Sequence, residues 1–289
     1  MLNSPQIKAG TKVLCVIGHP IEHSMSPAMH NAALKELALD YIYLAFDVPP
    51  RDLETTVLEF KKRGFRGINV TIPHKETIMK YLDQIDPLAK KIGAVNTIKN
   101  QEGNLIGKNT DAFGAKRALI NAGFEIKEKK VLILGAGGAA RAVSFALSDE
   151  SDKIFICDII EKRAIALANE LKDKMKIKAV GKNFKYEALK SLIFDVDILI
   201  NATPVGMYPD VNKTPISKDL LAEHLFVYDV IYNPLNTQLL KDASKIGCKT
   251  LNGIEMFINQ GALAFEWWTD TKPNTNVMKK TIIEVLKTK

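Results

Sequence analysis

Apolar residues fall along the chain in two alternating rhythms. Short unbroken apolar runs of strand length recur, and between them lie stretches whose apolar positions repeat every three or four residues. Lys12–Gly18 (KVLCVIG) reads as a strand, and Pro27–Leu39 as a helix opening after Ser26 as a cap. Tyr41–Val48 reads as a strand, Pro50–Arg63 as a helix with proline at its start, and Arg66–Ile72 as a strand. Short helices are expected near His74–Tyr81 and Pro87–Ile92, then short strands around Asn96–Lys99 and Leu105–Lys108. A helix over Asp111–Asn121 is ended by Gly123.

A second series starts at Lys130. Val131–Leu134 is a continuous apolar strand, followed by a helix over Gly138–Leu147, a strand at Ile154–Cys157 and a helix over Lys162–Leu171. Val196–Asn201 and Phe226–Ile231 read as buried strands, Leu235–Ile246 as a helix, Cys248–Leu251 as a strand and Ile254–Thr269 as a long helix. Such alternation predicts an α/β protein of two domains with a cleft between them. The first carries a mainly parallel sheet and the second is Rossmann-like, with ligands beyond the carboxyl ends of the strands.

Composition narrows the class. At 289 residues the chain is long enough for two medium domains and a real core without staples. Hydrophobic residues make up 46% and charged residues 25%, ordinary globular values that argue against a disordered or coiled-coil chain. No apolar run approaches the roughly 20 residues that span a bilayer, and the first residues lack the basic and apolar regions of a secretory signal. A cytoplasmic protein with no membrane partner is expected. The net charge of +7 is scattered, without a basic stripe interleaved with aromatics, so no nucleic-acid partner is expected either. The field would still favour a small anionic substrate and a phosphate-rich cofactor. Cys15, Cys157 and Cys248 form no metal or disulfide pattern and read as small buried hydrophobes. No histidine sits at metal-ligand spacing with an acidic partner, and His74 is expected to face solvent or lie against its loop.

Gly135-Ala136-Gly137-Gly138-Ala139-Ala140 matches GxGxxG/A with alanine in the last slot. It directly follows a strand and opens a helix, and the unit closes at Asp158, about the 30 residues of a dinucleotide-binding βαβ. Gly135 permits the tight turn, Gly137 lets backbone N–H groups approach a pyrophosphate, and Ala140 lets the helix lie close on the sheet. The helix N-terminus adds unpaired donors and partial positive charge. Asp158 sits where a carboxylate accepts from a ribose 2′-OH, which favours NAD. Lys162 and Arg163, within a helical turn, suit the 2′-phosphate of NADP instead.

Polar patches in the first half fall at expected strand ends. They are Ser24-Met25-Ser26, Asn69 to Lys75 (NVTIPHK), Asn96, and Asn109-Thr110-Asp111. Two hydroxyls two residues apart before a helix can both donate to a carboxylate, although Ser26 alone could serve as a cap. Asn69 and Thr71 alternate on a strand and share a face. Pro73 stops that strand and throws Lys75 onto the rim, where near a carboxylate such as Asp111 it can act as a general acid/base.

In this order, S-x-S, N-V-T-I-P-x-K, A-V-N-T, N-T-D-x-x-G, G-A-G-G-A-x-R-A, N-A-T-P-x-G-M and N-G-x-x-M-x-x-x-Q-x-A, the chain resembles the shikimate dehydrogenases from about Ile17 to Trp268. The resemblance implies reversible reduction of 3-dehydroshikimate to shikimate, typically with NADPH. It implies Lys75 and Asp111 as the catalytic pair. Ser24 and Ser26 match the hydroxyls that hold the substrate carboxylate, and Thr71, Asn96 and Gln260 match groups that bond the ring hydroxyls. Tyr232 matches a tyrosine reaching the substrate from the cofactor domain. Gly135, Ala136, Gly137, Gly138 and Ala139 match the phosphate turn, Thr203 a turn along the cofactor, and Val230 and Gly253 positions lining the nicotinamide. Because Gln260 is carried back to the first domain, residues 1–112 plus 255–289 form the expected substrate domain and 113–254 the cofactor domain.

One departure touches the cofactor. NADP-preferring members often show Asn-Arg-Thr after the second cofactor strand, where this chain has Asp158-Ile159-Ile160. Quinate/shikimate relatives that accept NAD carry an Asp there, so NADP is the expected cofactor with NAD as the alternative. A ligand-sensing pseudoenzyme would have lost the Lys/Asp pair or the glycine turn, and a methylene-tetrahydrofolate dehydrogenase would lack the S-x-S and N-V-T-I-P-x-K runs. A monomer or homodimer acting on a small molecule is expected.

Overall fold

The computed structural model describes residues 7–288. The chain divides into two compact units, one of residues up to Thr110 with those from Ile258 on, the other Asp111–Phe257.

The first unit begins with β1 (Lys12–Gly18), α1 (Ser26–Glu36), β2 (Tyr41–Asp47), α2 (Leu53–Lys62) and β3 (Gly67–Val70). It continues with β4 (Gln84–Ile85), α3 (Pro87–Ile92), β5 (Thr97–Gln101) and β6 (Asn104–Lys108). The sheet order is β2-β1-β3-β5-β6-β4. It is mainly parallel, as expected, but β5 runs antiparallel to both β3 and β6. That reversal matters for the site. Asn69 near the end of β3 lies opposite Thr97 at the start of β5, and Thr97 lies opposite Lys108 at the end of β6. The carboxyl ends of β1, β3 and β6 and the amino end of β5 therefore share one edge. Beneath it Cys15, Ile17, Val57, Ile68, Ile78, Val95 and Ile98 form the core.

The second unit opens with α4 (Asp111–Asn121) and β7 (Lys130–Leu134), then α5 (Gly138–Leu147), β8 (Lys153–Asp158), α6 (Glu161–Met175) and β9 (Lys178–Asn183). It proceeds through α7 (Tyr186–Ile193), β10 (Ile198–Asn201), β11 (Phe226–Asp229), α8 (Gln238–Ile246) and β12 (Lys249–Leu251). The order β12-β11-β10-β7-β8-β9 is parallel throughout, the doubly wound arrangement whose strand order reverses between β7 and β10. Both sheet faces are covered, so the central strands read as unbroken apolar runs. Leu132, Leu134, Leu199, Val227 and Leu239 belong to that core. Helix α9 (Ile254–Thr269) leaves this unit and ends in the first, followed there by α10 (Thr275–Lys287).

Most boundaries match the hydrophobic rhythm, and the differences have local causes. Ser26 is not the cap of α1 but its first residue. Met25 holds the cap position without a side-chain bond, and the Ser24 hydroxyl accepts the Ser26 N–H at 3.4 Å. The helix expected near His74–Tyr81 shrinks to a 3₁₀ turn at Thr77–Tyr81. His74 does not face solvent. It is buried at 1% exposure, and its Nε2 donates to the Val48 carbonyl at 2.6 Å. The helix expected from Leu235 starts at Gln238, because Thr237 caps it by accepting from Leu240 N. All three cysteines are buried, and burial pushes the Cys157 thiol up to about 12. Trp268 ends α9 fully buried, its Nε1 donating to Ile98 O at 2.9 Å, while Lys108 Nζ lies 4.4 Å from the Trp267 ring. Among the described residues no helix is long and apolar enough to cross a membrane, and no cluster of His, Cys, Asp and Glu could hold a metal.

Candidate active site

The shared edge of the first sheet gathers the polar patches. The loop after β1 carries Ser24, Ser26 opens α1, and the loop after β3 carries Thr71 and Lys75. Asn96 precedes the reversed strand β5, and Thr110 follows β6. Hydrogen bonds join these stretches. Asn96 Nδ2 donates to Thr110 Oγ1 at 2.9 Å and to Gln260 Oε1 at 3.4 Å, and Asn96 Oδ1 accepts the Thr110 N–H at 2.7 Å. The Lys75 carbonyl accepts the Val95 N–H at 2.8 Å, which sets the Thr71–Lys75 turn beside Asn96. Asn96 is 2% exposed and Gln260 9%, so their carboxamides are held where water competes little.

A further layer supports them. Asn69 Nδ2 donates to the Asn96 carbonyl and to Thr97 Oγ1, each at 3.1 Å, and Asn69 Oδ1 accepts the Tyr43 hydroxyl at 2.7 Å. The Tyr43 ring stacks on His30 with centroids 4.3 Å apart, and His30 also stacks on Phe265 of α9. The aromatic stack thus seats the helix that bears Gln260. Tyr43 was not singled out from the sequence, since its bond to Asn69 spans 26 residues, and Thr97 and Thr110 were named only within runs, without a role.

Asp111, 5% exposed, is the first residue of α4 and falls in the second unit. A carboxylate at a helix N-terminus is favoured by the helix dipole. Lys75 lies in the first unit, so the two residues of the expected pair fall in different units.

In the second unit the expected cofactor residues sit at carboxyl strand ends. Gly135 follows β7 with φ of +101°, a left-handed conformation costly for other residues, and a Cβ there would come within 3.0 Å of the Ala202 carbonyl. Gly137 caps α5 without a side-chain bond, and a Cβ on it would meet only Arg163 Nη2, at 4.0 Å. Gly138 and Ala139 form the first turn of α5, with uncapped N–H groups. An open cradle of amide donors bordered by a guanidinium fits the phosphates of a dinucleotide. Arg141 of the same motif serves the scaffold, with a two-pronged ion pair from α5 to Glu170 of α6 at 3.1 and 2.7 Å.

Asp158 turns inward. Its Oδ2 accepts the Ala136 N–H at 2.7 Å and its Oδ1 accepts the Ile160 N–H at 2.8 Å. The carboxylate thus braces the glycine turn, with one backbone bond to each oxygen. Lys162 and Arg163 stand exposed on the first turn of α6. After β10, Asn201 Oδ1 accepts from Thr203 N at 3.0 Å and Thr203 Oγ1 at 2.7 Å, fixing the turn. Val230 follows β11, and a Cβ on Gly253 would run into the Val230 carbonyl, so only glycine permits that approach. Tyr232 stacks on Phe257 with centroids 4.1 Å apart.

Known proteins share this arrangement. The family model for the shikimate dehydrogenase substrate binding domain matches residues 16–98, shikimate/quinate 5-dehydrogenase matches 116–230, and the shikimate 5′-dehydrogenase C-terminal domain matches 253–283. The chain is 51% identical over 279 residues to shikimate dehydrogenase (NADP(+)) of Methanocaldococcus jannaschii, covering 96% of this chain and 98% of that protein. A crystal structure of shikimate dehydrogenase in complex with NADP+ matches with a TM-score of 0.90 at 48% identity, over 97% of both chains. Shikimate 5-dehydrogenase from Listeria monocytogenes, in complex with shikimate and NAD, matches with a TM-score of 0.86 at 40% identity, over 96% of this chain and 98% of that one. Motifs, fold and full-length similarity agree, and the chain belongs to the shikimate dehydrogenase family.

Proposed function

We propose that this chain catalyses the reversible NADPH-dependent reduction of 3-dehydroshikimate to shikimate, with Lys75 and Asp111 as its catalytic residues. The observation that carries the reading is the hydrogen-bonded junction of Asn96, Thr110 and Gln260, beside the turn that presents Lys75. It assembles, from three distant stretches, a set of donors and acceptors suited to a ring bearing several hydroxyls.

NADPH supplies a hydride when bound. The chain's own groups do the rest. Ser24 and Ser26 donate to the substrate carboxylate. Thr71, Asn96 and Gln260 bond the ring hydroxyls and orient the C3 carbonyl. The Lys75 ammonium donates a proton to the C3 oxygen as negative charge develops there, and takes it back in the reverse direction. Asp111 accepts from a neighbouring hydroxyl, and Tyr232 contributes a further polar contact. Ser24→Ala is expected to raise KM for shikimate about tenfold, the worth of one charge-assisted hydrogen bond, at nearly constant kcat. Steady-state kinetics decide it: a large kcat loss at unchanged KM contradicts carboxylate binding.

For the cofactor, the Arg163 guanidinium beside Gly137 supports NADP over NAD. Arg163→Ala is expected to raise KM for NADP about tenfold or more and leave KM for NAD nearly unchanged; equal losses with both would remove Arg163 from recognition of the 2′-phosphate. Absorbance at the reduced-nicotinamide band, with shikimate and NADP, shikimate and NAD, or quinate and each, tests the whole reading. Fast reduction of NADP by shikimate is expected. Turnover only with quinate, or with neither acid, overturns it.

A further inference from the structure

We infer that Asp229 is a positioning residue for the reaction: its carboxylate ties the loop after β10 to the loop after β11, the stretches that carry Thr203, Val230 and Tyr232. The inference rests on the reading above that these loops run along the nicotinamide half of the cofactor.

Asp229 closes β11 with no exposed surface. Its Oδ1 accepts from Asn201 Nδ2 and from the Ile231 N–H, each at 3.1 Å, and its Oδ2 accepts from the Thr237 hydroxyl at 2.7 Å. Each donor belongs to a different segment. Asn201 ends β10 and holds the next turn on both sides, accepting from Thr203 and donating to the Val205 carbonyl at 3.2 Å. Ile231 lies between Val230 and Tyr232, and its carbonyl accepts the Gly253 N–H at 2.9 Å. Thr237, also fully buried, caps α8. One side chain thereby sets Thr203, Val230, Tyr232 and Gly253 relative to one another.

The energetics favour a positional role over a purely structural one. Asp229 makes no ion pair among the described residues, and a carboxylate without a countercharge is costly to bury. A core apolar at all of these positions would need neither the buried charge nor its three donors. What an apolar residue cannot do is draw three donors from three segments toward two oxygens in one plane. Sites that must hold a ligand to fractions of an ångström depend on such supporting bonds.

The test uses the full chain and two probes. NADPH engages both halves of the cofactor site, and adenosine 2′,5′-bisphosphate engages only the half at the glycine turn and Arg163. For Asp229→Asn, which weakens charge-assisted bonds to neutral ones, the NADPH dissociation constant is expected to rise about tenfold. Affinity for the bisphosphate is expected to stay within twofold, and amide exchange in residues 202–205 and 230–232 to accelerate without cofactor. Thr237→Val is expected to shift NADPH in the same direction, and Thr237→Ser to restore it; this pair carries the test if Asp229→Asn does not fold. Unchanged NADPH affinity and unchanged exchange in both loops overturn the inference, as does a parallel loss of both probes. A wild-type chain that binds neither probe overturns the proposed function itself, a result distinct from either.

Discussion

Lys75→Ala is expected to lower kcat by about 10²–10⁴-fold, the usual worth of a positioned general acid, while KM for shikimate moves far less. Two effects add in that residue. In the proposed mechanism the ammonium is the proton source for the oxygen at C3, and its charge stabilises that oxygen as it becomes anionic. Neither matters much to the ground state, where the proposal has the carboxylate and ring hydroxyls held by Ser24, Ser26, Thr71, Asn96 and Gln260. Loss should therefore appear in kcat and kcat/KM together. Lys75→Arg should recover little, since the guanidinium keeps the charge but not the compact donor or the ready loss of a proton. Steady-state kinetics with shikimate and NADP check both variants. Wild-type turnover in Lys75→Ala would remove the residue from its role and leave the carboxylate of Asp111 as the group to test.

Acid is expected to act on the two units in opposite senses. In the first unit His30 is fully buried, and burial lowers its pKa from 6.5 to about 3. Between those values the unfolded chain binds the proton and the folded one does not. Its contribution is intact above pH 6.5 and is lost as pH falls toward 3, at up to about 1.4 kcal/mol per pH unit. In the second unit burial raises Asp229 from 3.8 to about 6, against the bonds from Thr237, Ile231 and Asn201 that lower it. Here the folded state holds the proton more tightly. Its contribution is intact below pH 3.8 and is lost as pH rises through about 6, with a similar limiting slope. Matched melting curves from pH 4 to 7 separate the two. The stability of His30→Leu relative to wild type should improve steadily as pH falls, because the variant has no imidazole to charge. The stability of wild type relative to Asp229→Asn should decline as pH rises. Gaps that stay constant with pH in both comparisons would refute the assignment.

Much of this molecule was legible in its residues. The glycine turn sits between an apolar strand and a helix, and the structure places it so, because that unit's determinants are local: run length, turn chemistry and helix opening. Other elements escaped notice for physical reasons. β9 (KAVGKN) alternates too weakly to read as a strand and is held by its partner β8, while α7 and α10 carry apolar faces that make sense only against their units. The site divides the same way. Lys75, Asn96 and Gln260 stand in recognisable runs. Asp158 is legible from its distance beyond the glycine turn, whereas nothing local reveals that its oxygens also accept from Ala136 and Ile160. Tyr43 and Asp229 were missed because the bonds that tie them to another strand, to Asn69 and Asn201, span 26 and 28 residues, a separation no sequence window registers.

Helix α9 crosses from one unit to the other, and this bears on how the polypeptide matures on the ribosome. The Trp268 indole that bonds Ile98, and the Phe265 ring that stacks near His30, are made only after the whole of Asp111–Phe257. The portion synthesised first is thus completed last. Until then its aromatic floor is open, a stage at which a nascent chain stalled before Phe265 would present apolar surface to chaperones.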